Sequence, residues 1–558
     1  MSQPPLPPHH QPQYPPPQPQ GPQQPPSQAG HFGAGGYPGA APAPGGSGGP
    51  EGYGGYGGPG GAGGPGGPGG HGGGPGGPGG TGGHGGGPGG HGRSGGRGRG
   101  RGRRSKPPLG LIIGGVLAVA LVGGGIALAT GGDDDGGKDG GSSSEGVQAK
   151  TLGKVAMPKV GKEANTMGTW VTDKNFVKGE VNKIVGYSLD GAKSQWEIPL
   201  GGQICWASPH VTKEGLTAVL FRDGKGEDAL CTKVGLVDLK KGKLVWQKEG
   251  SDSEGNAGVQ FDEVTIGGGT VAAGGTSGGG AWSLEGKPLW TPKYIADCDD
   301  DGYAGGGDKL VALYGCDTST SVTETKQEIQ TLDPTTRAVK STYKLDEKVE
   351  EAHVLSTAPL VVAVDTGDSE GGSGVTDILT IDDSGKQGRL LSKIDVVAAG
   401  YKPSCTVAGV EGCKEFALDK KNSTIYLSSE VDVDDGGPGE RITGLDLKTG
   451  KKTGKTKMAE SRSLMPVQTE EDGSLLAYLG SQYSEAGGVV RIDPKSFSME
   501  TLHKHPDDMK EAESGMDIYG DCTMIYAGKK LYIGDDKASR PSSNDTAHRP
   551  LAVVFGPA

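Results

Sequence analysis

The sequence lacks the motifs that would assign an activity directly. No Cys-x-x-Cys pair occurs in it, which argues against a zinc ribbon and against a thioredoxin-type redox site. No Walker loop and no His-Glu-x-x-His motif occurs either. Motif content therefore nominates no catalytic residue, and the function has to be inferred from the organisation of the chain.

Acidic residues are nearly missing from the first part of the chain. Between residues 1 and 106 the only acidic residue is Glu51, against seven arginines and lysines that close the same stretch. The net charge is +6 there and −18 over the remainder, against −12 for the whole chain. An acidic remainder gives no reason to expect a nucleic acid as its partner.

Residues 1–106 are rich in Pro, Gln and Gly and have few apolar side chains. Such a stretch cannot offset the entropy of ordering itself, so we expect a disordered arm. Its Arg-rich end, Arg93–Lys106, is similar to RNA-binding Arg-Gly tracts. We interpret it instead as the basic flank of a membrane span, and expect no nucleic acid. An alternative is that the arm is a cytoplasmic interaction module and the rest of the chain a sensor.

One long hydrophobic run divides the chain. Leu109–Ala129 carries no charged or amide side chain over about the length that a helix needs to cross a bilayer. We predict a transmembrane signal anchor at residues 107–130, followed by a Gly, Asp and Ser linker at residues 131–149. Because the basic flank precedes the run and Asp133 to Asp135 follow it, the N-terminus is predicted in the cytoplasm and the C-terminal domain outside the cell. Whether the chain is cleaved after Ala129 stays open.

All seven cysteines lie beyond the hydrophobic run, where an oxidising compartment would allow disulfides. Pairing of neighbours along the chain leaves Cys522 single. Spacing does not fix connectivity, so these pairs are a preference. The preferred pairs are Cys205 with Cys231, Cys298 with Cys316, and Cys405 with Cys413.

The region after the linker contains a repeated pattern of a short apolar run, a turn with Asp, Gly or Lys, and a second apolar run. The repeats start about 45 to 65 residues apart, which is the period of a four-stranded propeller blade. The seven copies are Ile184–Trp196, Val234–Trp246, Gly280–Trp290, Glu328–Lys340, Asp377–Arg389, Arg441–Gly454 and Val489–Glu500.

The chain ends in two further apolar runs, Lys530–Gly534 and Pro550–Gly556, that look like inner strands of a blade without its last strand. A strand near Gly153–Val160 would supply the missing one and close the ring. We therefore predict that residues 150–558 form an all-β, eight-bladed propeller. Seven blades is the alternative, if the terminal strands belong to the first blade.

Three repeats carry a Lys followed three residues later by a Trp, at Trp196, Trp246 and Trp290. This pattern resembles the repeat of pyrroloquinoline-quinone (PQQ) type propellers. The later repeats depart from it, with Lys340, Arg389, Gly454 and Glu500 at the Trp position. The resemblance implies either a quinoprotein dehydrogenase or a non-catalytic propeller similar to the outer-membrane assembly lipoprotein. We expect the Trp residues to pack between blades.

A dehydrogenase of this type would be expected to have two adjacent cysteines over its cofactor, and no two cysteines are adjacent here. We therefore expect no cofactor, with PQQ or Ca²⁺ as alternatives. One acidic stretch fits most of a calcium-loop pattern, except that Asp replaces the final Glu. Its candidate ligands are Asp297, Asp299, Asp301 and Asp308.

The sequence thus favours a single-pass membrane protein of an actinobacterial type, with an extracytoplasmic propeller that binds a ligand without catalysis. The partner would be an unidentified protein or small molecule outside the membrane, because propellers present rigid faces lined by loops. The alternative from a different class is a PQQ-dependent dehydrogenase.

Overall fold

The structure is a computed structural model of the protein. It describes residues 146–226, 228–293, 298–317, 325–367, 374–405, 409–429, 439–482, 484–516, 520–540 and 549–557. The predicted arm, the hydrophobic run and most of the linker lie outside these residues. Among the residues described, none belongs to a helix with the length and apolar character that a membrane span requires.

The described residues form mostly short β-strands, with one helical turn near the end. The first strands are β1 Val147–Gln148, β2 Lys150–Ala156, β3 Ala164–Asn165, β4 Thr169–Val171, β5 Phe176–Glu180, β6 Lys183–Tyr187, β7 Ser194–Pro199, β8 Ile204–Ala207, β9 Leu216–Phe221, β10 Lys233–Asp238, β11 Lys243–Glu249 and β12 Glu263–Gly267. The next are β13 Thr270–Gly274, β14 Gly280–Ser283, β15 Pro288–Trp290, β16 Cys298–Ala304, β17 Leu310–Asp317, β18 Thr325–Leu332, β19 Val339–Lys344, β20 Glu351–Thr357, β21 Leu360–Asp365, β22 Asp377–Asp382, β23 Arg389–Asp395 and β24 Phe416–Asp419. The last are β25 Thr424–Ser429, β26 Gly439–Asp446, β27 Lys452–Lys455, β28 Ala459–Glu460, β29 Leu464–Thr469, β30 Leu475–Leu479, β31 Gly488–Ile492, β32 Met499–Lys504, a 3-10 turn Asp507–Met509, helix α1 Lys510–Gly515, β33 Cys522–Ala527, β34 Lys530–Asp535, β35 Lys537–Ala538 and β36 Pro550–Gly556.

Within the described part of the chain, these strands pair into nine sheets: eight of four or five strands, which are the blades of a propeller, and the two-stranded sheet of β3 and β35. Blades 1 to 6 are β4–β7, β8–β11, β12–β15, β16–β19, β20–β23 and β24–β27; blade 7 is β29–β32 with β1, and blade 8 is β33, β34, β36 and β2. The first strands of neighbouring blades contact one another, for example β33 with β4 and β12 with β16, so they form the inner wall of the ring. The prediction of eight blades is confirmed.

The ring is closed by a strand from the start of the domain. In blade 8, β2 pairs antiparallel with β36, with Lys150 opposite Gly556 and Val155 opposite Ala552. The blade therefore takes its outermost strand from the other end of the domain, as predicted, although the strand is Lys150–Ala156 and the prediction placed it near Gly153–Val160. The segment just before it also pairs β1 in parallel with β32, so the same stretch of chain holds blades 7 and 8.

Burial explains why the inner strands read as unbroken apolar runs. In blade 2, five of the six residues of β9 and five of those of β10 are buried, because neighbouring blades cover both faces of a middle strand. The outermost strand, β11, alternates between exposed and partly covered residues along its whole length. This alternation is typical of a strand with one face in solvent.

The turns between the third and fourth strands are held by the Asp that the repeat places there. Asp238 Oδ1 accepts the Lys241 N–H at 2.9 Å, Asp446 Oδ1 accepts the Thr449 N–H at 2.8 Å, and Asp493 Oδ1 accepts the Ser496 N–H at 2.7 Å. Each carboxylate thus satisfies a turn amide that the strand pairing leaves open.

The repeat Trp residues lie between blades. Trp246 of blade 2 donates its Nε1–H to the Leu284 carbonyl in the turn of blade 3, at 2.9 Å. Trp290 of blade 3 donates to the Tyr303 hydroxyl of blade 4, at 3.0 Å. Trp196 of blade 1 packs so closely on the turn of blade 2 that a Cβ atom at Gly242 would overlap its ring. At Trp196 and Trp246, a large residue on one blade thus meets a glycine on the turn of the next, Gly242 and Gly286.

Blades 6 and 7 reverse this arrangement. Gly454 stands at the Trp position of blade 6, and Phe497 stands at the turn position that corresponds to Gly242. Phe497 has a φ of 55°, which L residues rarely adopt, and a Cβ atom at Gly454 would overlap its ring. The space between these two blades is therefore filled from the turn rather than from the strand.

We predict that this large and small pair can be exchanged. Gly454→Trp alone should destabilise the protein by about 1–3 kcal/mol, because the new ring overlaps Phe497. The double variant G454W/F497G should be more stable than the sum of the single changes implies, by at least about 1 kcal/mol, because Trp then occupies the vacated space. Urea unfolding of the four proteins measures this coupling.

The matched control is Gly226→Trp, at a glycine whose side-chain direction faces open space. That change should alter the free energy of unfolding by less than about 0.5 kcal/mol. Additive effects of G454W and F497G would show that the two residues do not share one space.

Candidate functional site

A hairpin between blades 5 and 6 enters the centre of the ring. We call it the plug loop and define it as Ser404–Lys414, of which residues 404–405 and 409–414 are described. Its two ends pair, since Ser404 N donates to Lys414 O at 3.2 Å and Lys414 N donates to Ser404 O at 2.6 Å. The Cys405–Cys413 disulfide joins the same two ends. The loop is therefore closed at its base independently of the rest of the ring.

Glu263, at the start of the innermost strand of blade 3, holds the tip of the plug loop. Its Oε2 accepts the N–H groups of Val410 at 2.8 Å and Glu411 at 3.2 Å, and its Oε1 accepts the Tyr303 N–H at 3.0 Å. Burial and the nearby Glu411 charge raise the pKa of Glu263 to about 8, against the opposing effect of the three amide donors. One side chain thus links blade 3, blade 4 and the loop.

Further contacts attach the loop to blades 2, 4 and 5. Glu411 Oε1 accepts the Gly305 N–H of blade 4 at 2.8 Å and lies 2.7 Å from His210 Nε2 of blade 2. On blade 5, Val354 N donates to Val410 O at 2.8 Å, and His353 Nδ1 lies 2.9 Å from Gly409 O. The plug loop therefore fills the centre of the ring in front of blades 2 to 5.

The rest of the centre is a cavity of about 390 Å³. Residues in or next to the innermost strands of blades 1, 2, 6, 7 and 8 line it, together with the base of the plug loop. Much of the wall is apolar. The apolar and sulfur-containing side chains include Met167, Trp206, Phe416, Met465, Val467 and Met524.

A buried polar cluster forms one side of this cavity. Asp536 Oδ2 accepts from Lys414 Nζ at 3.0 Å and from Thr523 Oγ1 at 2.8 Å, and Lys414 Nζ also donates to Gly520 O at 3.0 Å. Asp536 Oδ1 lies 3.8 Å from Lys178 Nζ and has no hydrogen-bond partner. Burial lowers the pKa of the fully buried Lys178, while the neighbouring Asp536 and Asp535 oppose that change.

A second polar atom of a cavity-lining residue also has no partner. Trp206 is 6% exposed, and its Nε1–H makes no hydrogen bond. The neighbouring Trp170, in contrast, donates its Nε1–H to the Ser208 carbonyl at 2.9 Å. A buried donor without an acceptor is costly, by about 1–3 kcal/mol.

The predicted calcium ligands lie elsewhere. Asp299 and Asp301 are in β16, Asp308 is in the turn before β17, and Asp297 is outside the described residues. Asp299 Oδ2 accepts the Lys293 N–H at 3.2 Å. In the part of the chain that is described, the one cluster of metal-ligating side chains is His353 with Cys405 and Cys413. The calcium site stays a prediction.

All three predicted disulfides are present. Cys205 bonds Cys231, Cys298 bonds Cys316, and Cys405 bonds Cys413. Cys522 is free and buried, and burial raises the pKa of its thiol. No two cysteines are adjacent, so the residues of the cavity do not match the cofactor site that the quinoprotein resemblance implies.

The sequence analysis missed the residues that define this site: Lys178, Trp206, Glu263, His353, Glu411, Lys414 and Asp536. One signal was available. The interval between the repeats that start at Asp377 and Arg441 is the longest in the domain, and it contains the plug loop. An insertion of that size between two regular blades indicates a segment with a separate role.

No protein-family model matches the chain, and no curated protein matches it. The structure is similar to that of BamB from Moraxella catarrhalis, at 13% sequence identity and a TM-score of 0.39, over 72% of this chain and 99% of that one. It is also similar to the quinohemoprotein alcohol dehydrogenase ADHIIG from Pseudomonas putida HK5, at 11% identity and a TM-score of 0.40, over 73% and 76% of the two chains. The computationally designed Ika8 protein matches at 10% identity and 0.44, over 74% and 100%. At scores this low the likenesses carry no argument, and the fold rests on the strand pairing.

We predict that the contact between His210 and Glu411 stabilises the protein mainly at low pH. Burial lowers the pKa of His210, but the charge and hydrogen bond of Glu411 raise it by more, so the pKa lies above its usual value of 6.5. The extra stability is therefore fully present below pH 6.5 and is lost as the pH rises through the folded-state pKa. His210→Gln should lower the melting temperature more at pH 5.5 than at pH 9.

His503 supplies a control of opposite sign. Burial lowers its pKa to about 4, so the ring stays neutral in the folded protein while it is protonated in the unfolded chain. The free energy of unfolding therefore decreases as the pH falls from 6.5 towards 4. The melting temperature of His503→Gln, relative to that of the wild type, should therefore be higher at pH 5 than at pH 9. Equal effects of H210Q at both pH values would contradict the ion pair with Glu411.

Proposed function

We propose that the protein is a non-catalytic, ligand-binding propeller whose site is the central cavity. The observation that carries the proposal is the mainly apolar cavity of about 390 Å³ at the centre of the ring. This volume is within the usual range of ligand pockets, about 300–1,000 Å³. Walls built from innermost strands of the ring supply a largely pre-formed site.

The chemistry of the walls defines the class of ligand. The apolar wall favours a compact body such as a ring system, which displaces water from Phe416, Met465 and Met524. Lys414, whose side chain is 24% exposed, also lines the cavity, and its ammonium group favours a hydrogen-bond acceptor on that body. A small molecule or a single side chain of a partner protein would satisfy these requirements.

We further propose that the propeller lies outside the cell and that residues 107–130 anchor it, with residues 1–106 in the cytoplasm. The uncharged run Leu109–Ala129 and the basic residues before it support this arrangement. The three disulfides support an oxidising compartment for the propeller.

The cavity is tested with a variant that fills it. A fragment library is screened against the full-length protein by thermal shift, with fragments that combine one ring system and one acceptor. A fragment that binds should stabilise the wild type by about 2.7 kcal/mol at a concentration 100-fold above its Kd. Val467→Phe fills part of the cavity and should reduce the shift for the same fragments to near zero.

The matched control is Val245→Phe, on the exposed face of β11 away from the cavity, where Val245 is 41% exposed. That variant should respond to the fragments as the wild type does. The proposal fails if V467F keeps the wild-type shifts, or if no fragment of this class stabilises the wild type.

The membrane arrangement is tested with one epitope tag at each end of the full-length protein. In intact spheroplasts, added protease should remove the C-terminal tag and leave the N-terminal tag, because only the propeller is outside. After lysis both tags should be lost, while a cytoplasmic marker protein reports whether the cells stayed intact. Protection of the C-terminal tag until lysis would overturn the arrangement.

A further inference from the structure

Three metal-ligating side chains meet at the base of the plug loop. A ring nitrogen of His353 and the sulfur atoms of Cys405 and Cys413 all lie within 4.8 Å of one another. His353 belongs to β20, the innermost strand of blade 5, and is 2% exposed. The two sulfur atoms are bonded to each other in this structure. The fold thus brings one imidazole and two cysteines together.

The hydrogen bonding of His353 leaves a lone pair unused. Its Nδ1 lies 2.9 Å from the Gly409 carbonyl, which can only accept, so Nδ1 carries the hydrogen. In the neutral ring the lone pair is then on Nε2, which is buried and has no hydrogen-bond partner. The Glu351 Oε2 atom is 3.9 Å from Nε2, which is too distant for a hydrogen bond. Histidines that bind metals are commonly oriented in this way, with the other ring N–H donated to a carbonyl.

The plug loop does not depend on its disulfide to stay in place. The Ser404 and Lys414 backbones pair at its base, and Glu263 and Glu411 attach its tip to other blades. The disulfide spans only 8 residues, so it removes little freedom from the unfolded chain compared with a long loop. Opening the disulfide should therefore leave both cysteines beside His353.

The cluster can be reached from the cavity, because Cys413 is among the residues that line it. Both cysteines are only partly buried. Tetrahedral coordination of zinc by two sulfurs and one nitrogen places the ligand atoms roughly 3.4–3.8 Å apart. The three ligand atoms already lie within 4.8 Å of one another, which is close to this requirement.

We propose that His353, Cys405 and Cys413 form a metal site that is gated by the redox state of the disulfide, for a thiophilic divalent cation of the zinc class. An external dithiol gives two electrons and two protons to the disulfide and is itself oxidised to a disulfide. The two thiols that form then release two protons as they bind the cation together with Nε2. This Cys₂His set leaves a fourth position open towards a water molecule. The site shares Cys413 with the wall of the ligand cavity, but it does not require a ligand to be bound there.

The test uses full-length protein, reduced by dithiothreitol and freed of it without air, with Co²⁺ and Zn²⁺ alone as probes. Co²⁺ should give thiolate charge-transfer absorption with one ion per chain, and Zn²⁺ should displace it. The oxidised protein should show neither signal. His353→Asn keeps a donor in the place of Nδ1 but removes Nε2, so it should weaken the binding of Zn²⁺ at least tenfold.

The comparison of H353N with the wild type leaves all seven cysteines in place, so thiols elsewhere affect both proteins equally. Circular dichroism of each reduced protein reports its fold.

If reduction unfolds the propeller, Cys405→Ser frees the Cys413 thiol without any reductant and keeps the other two disulfides. C405S should then bind Zn²⁺ more weakly than the three-ligand site, and C405S/H353N should not bind it. Equal Zn²⁺ binding with and without His353, or no binding by the folded reduced protein or by C405S, would overturn the proposal.

Discussion

The structure depends on the closure of the ring. Each blade is a small sheet whose middle strands are apolar on both faces, so a blade is stable only between two neighbours. The pairing of β2 with β36 supplies the outermost strand of blade 8 from the start of the domain. Val155 of β2 then packs in one core with Phe176 of blade 1 and Tyr532 of blade 8. Without that strand, blade 8 would lose part of its core and β36 would become an unpaired edge strand.

Most of the propeller could be predicted from the sequence, because its blades are built from local repeats and the ring needs one closing strand. Strand, Asp turn and strand recur within a few tens of residues, and local patterns of that kind are what a sequence shows. Two apolar runs at the end of the chain, without a partner strand, were enough to indicate both eight blades and the closing strand. The three disulfides followed from neighbours along the chain, and Cys522 was left single as expected.

The site could not be predicted in the same way, because its contacts join residues that are far apart in sequence. Glu263 binds the plug loop across 147 residues, and Lys414 reaches Asp536 across 122. Neither contact follows from a period or a motif, since each exists only after the blades are arranged around one centre. A carboxylate at the start of an apolar strand, such as Glu263, looks like an ordinary strand boundary in the sequence. The Asp pattern at residues 297–308 was more conspicuous, but Asp299 and Asp301 are in a strand.

The plug loop fills one part of the centre of the ring and leaves the other part open. The open part is the candidate site. An eight-bladed ring encloses more space than its innermost side chains fill, and an apolar space left empty costs stability. In front of blades 2 to 5 the loop fills that space with Val410, which is 3% exposed, and with the contacts of Glu411. The cavity is therefore lined by blades 1, 2, 6, 7 and 8 and by the base of the loop. Cys413 belongs to both regions, because it closes the base of the loop and lines the cavity. A change in the bonding of Cys413 would therefore affect both the filled and the open part of the centre.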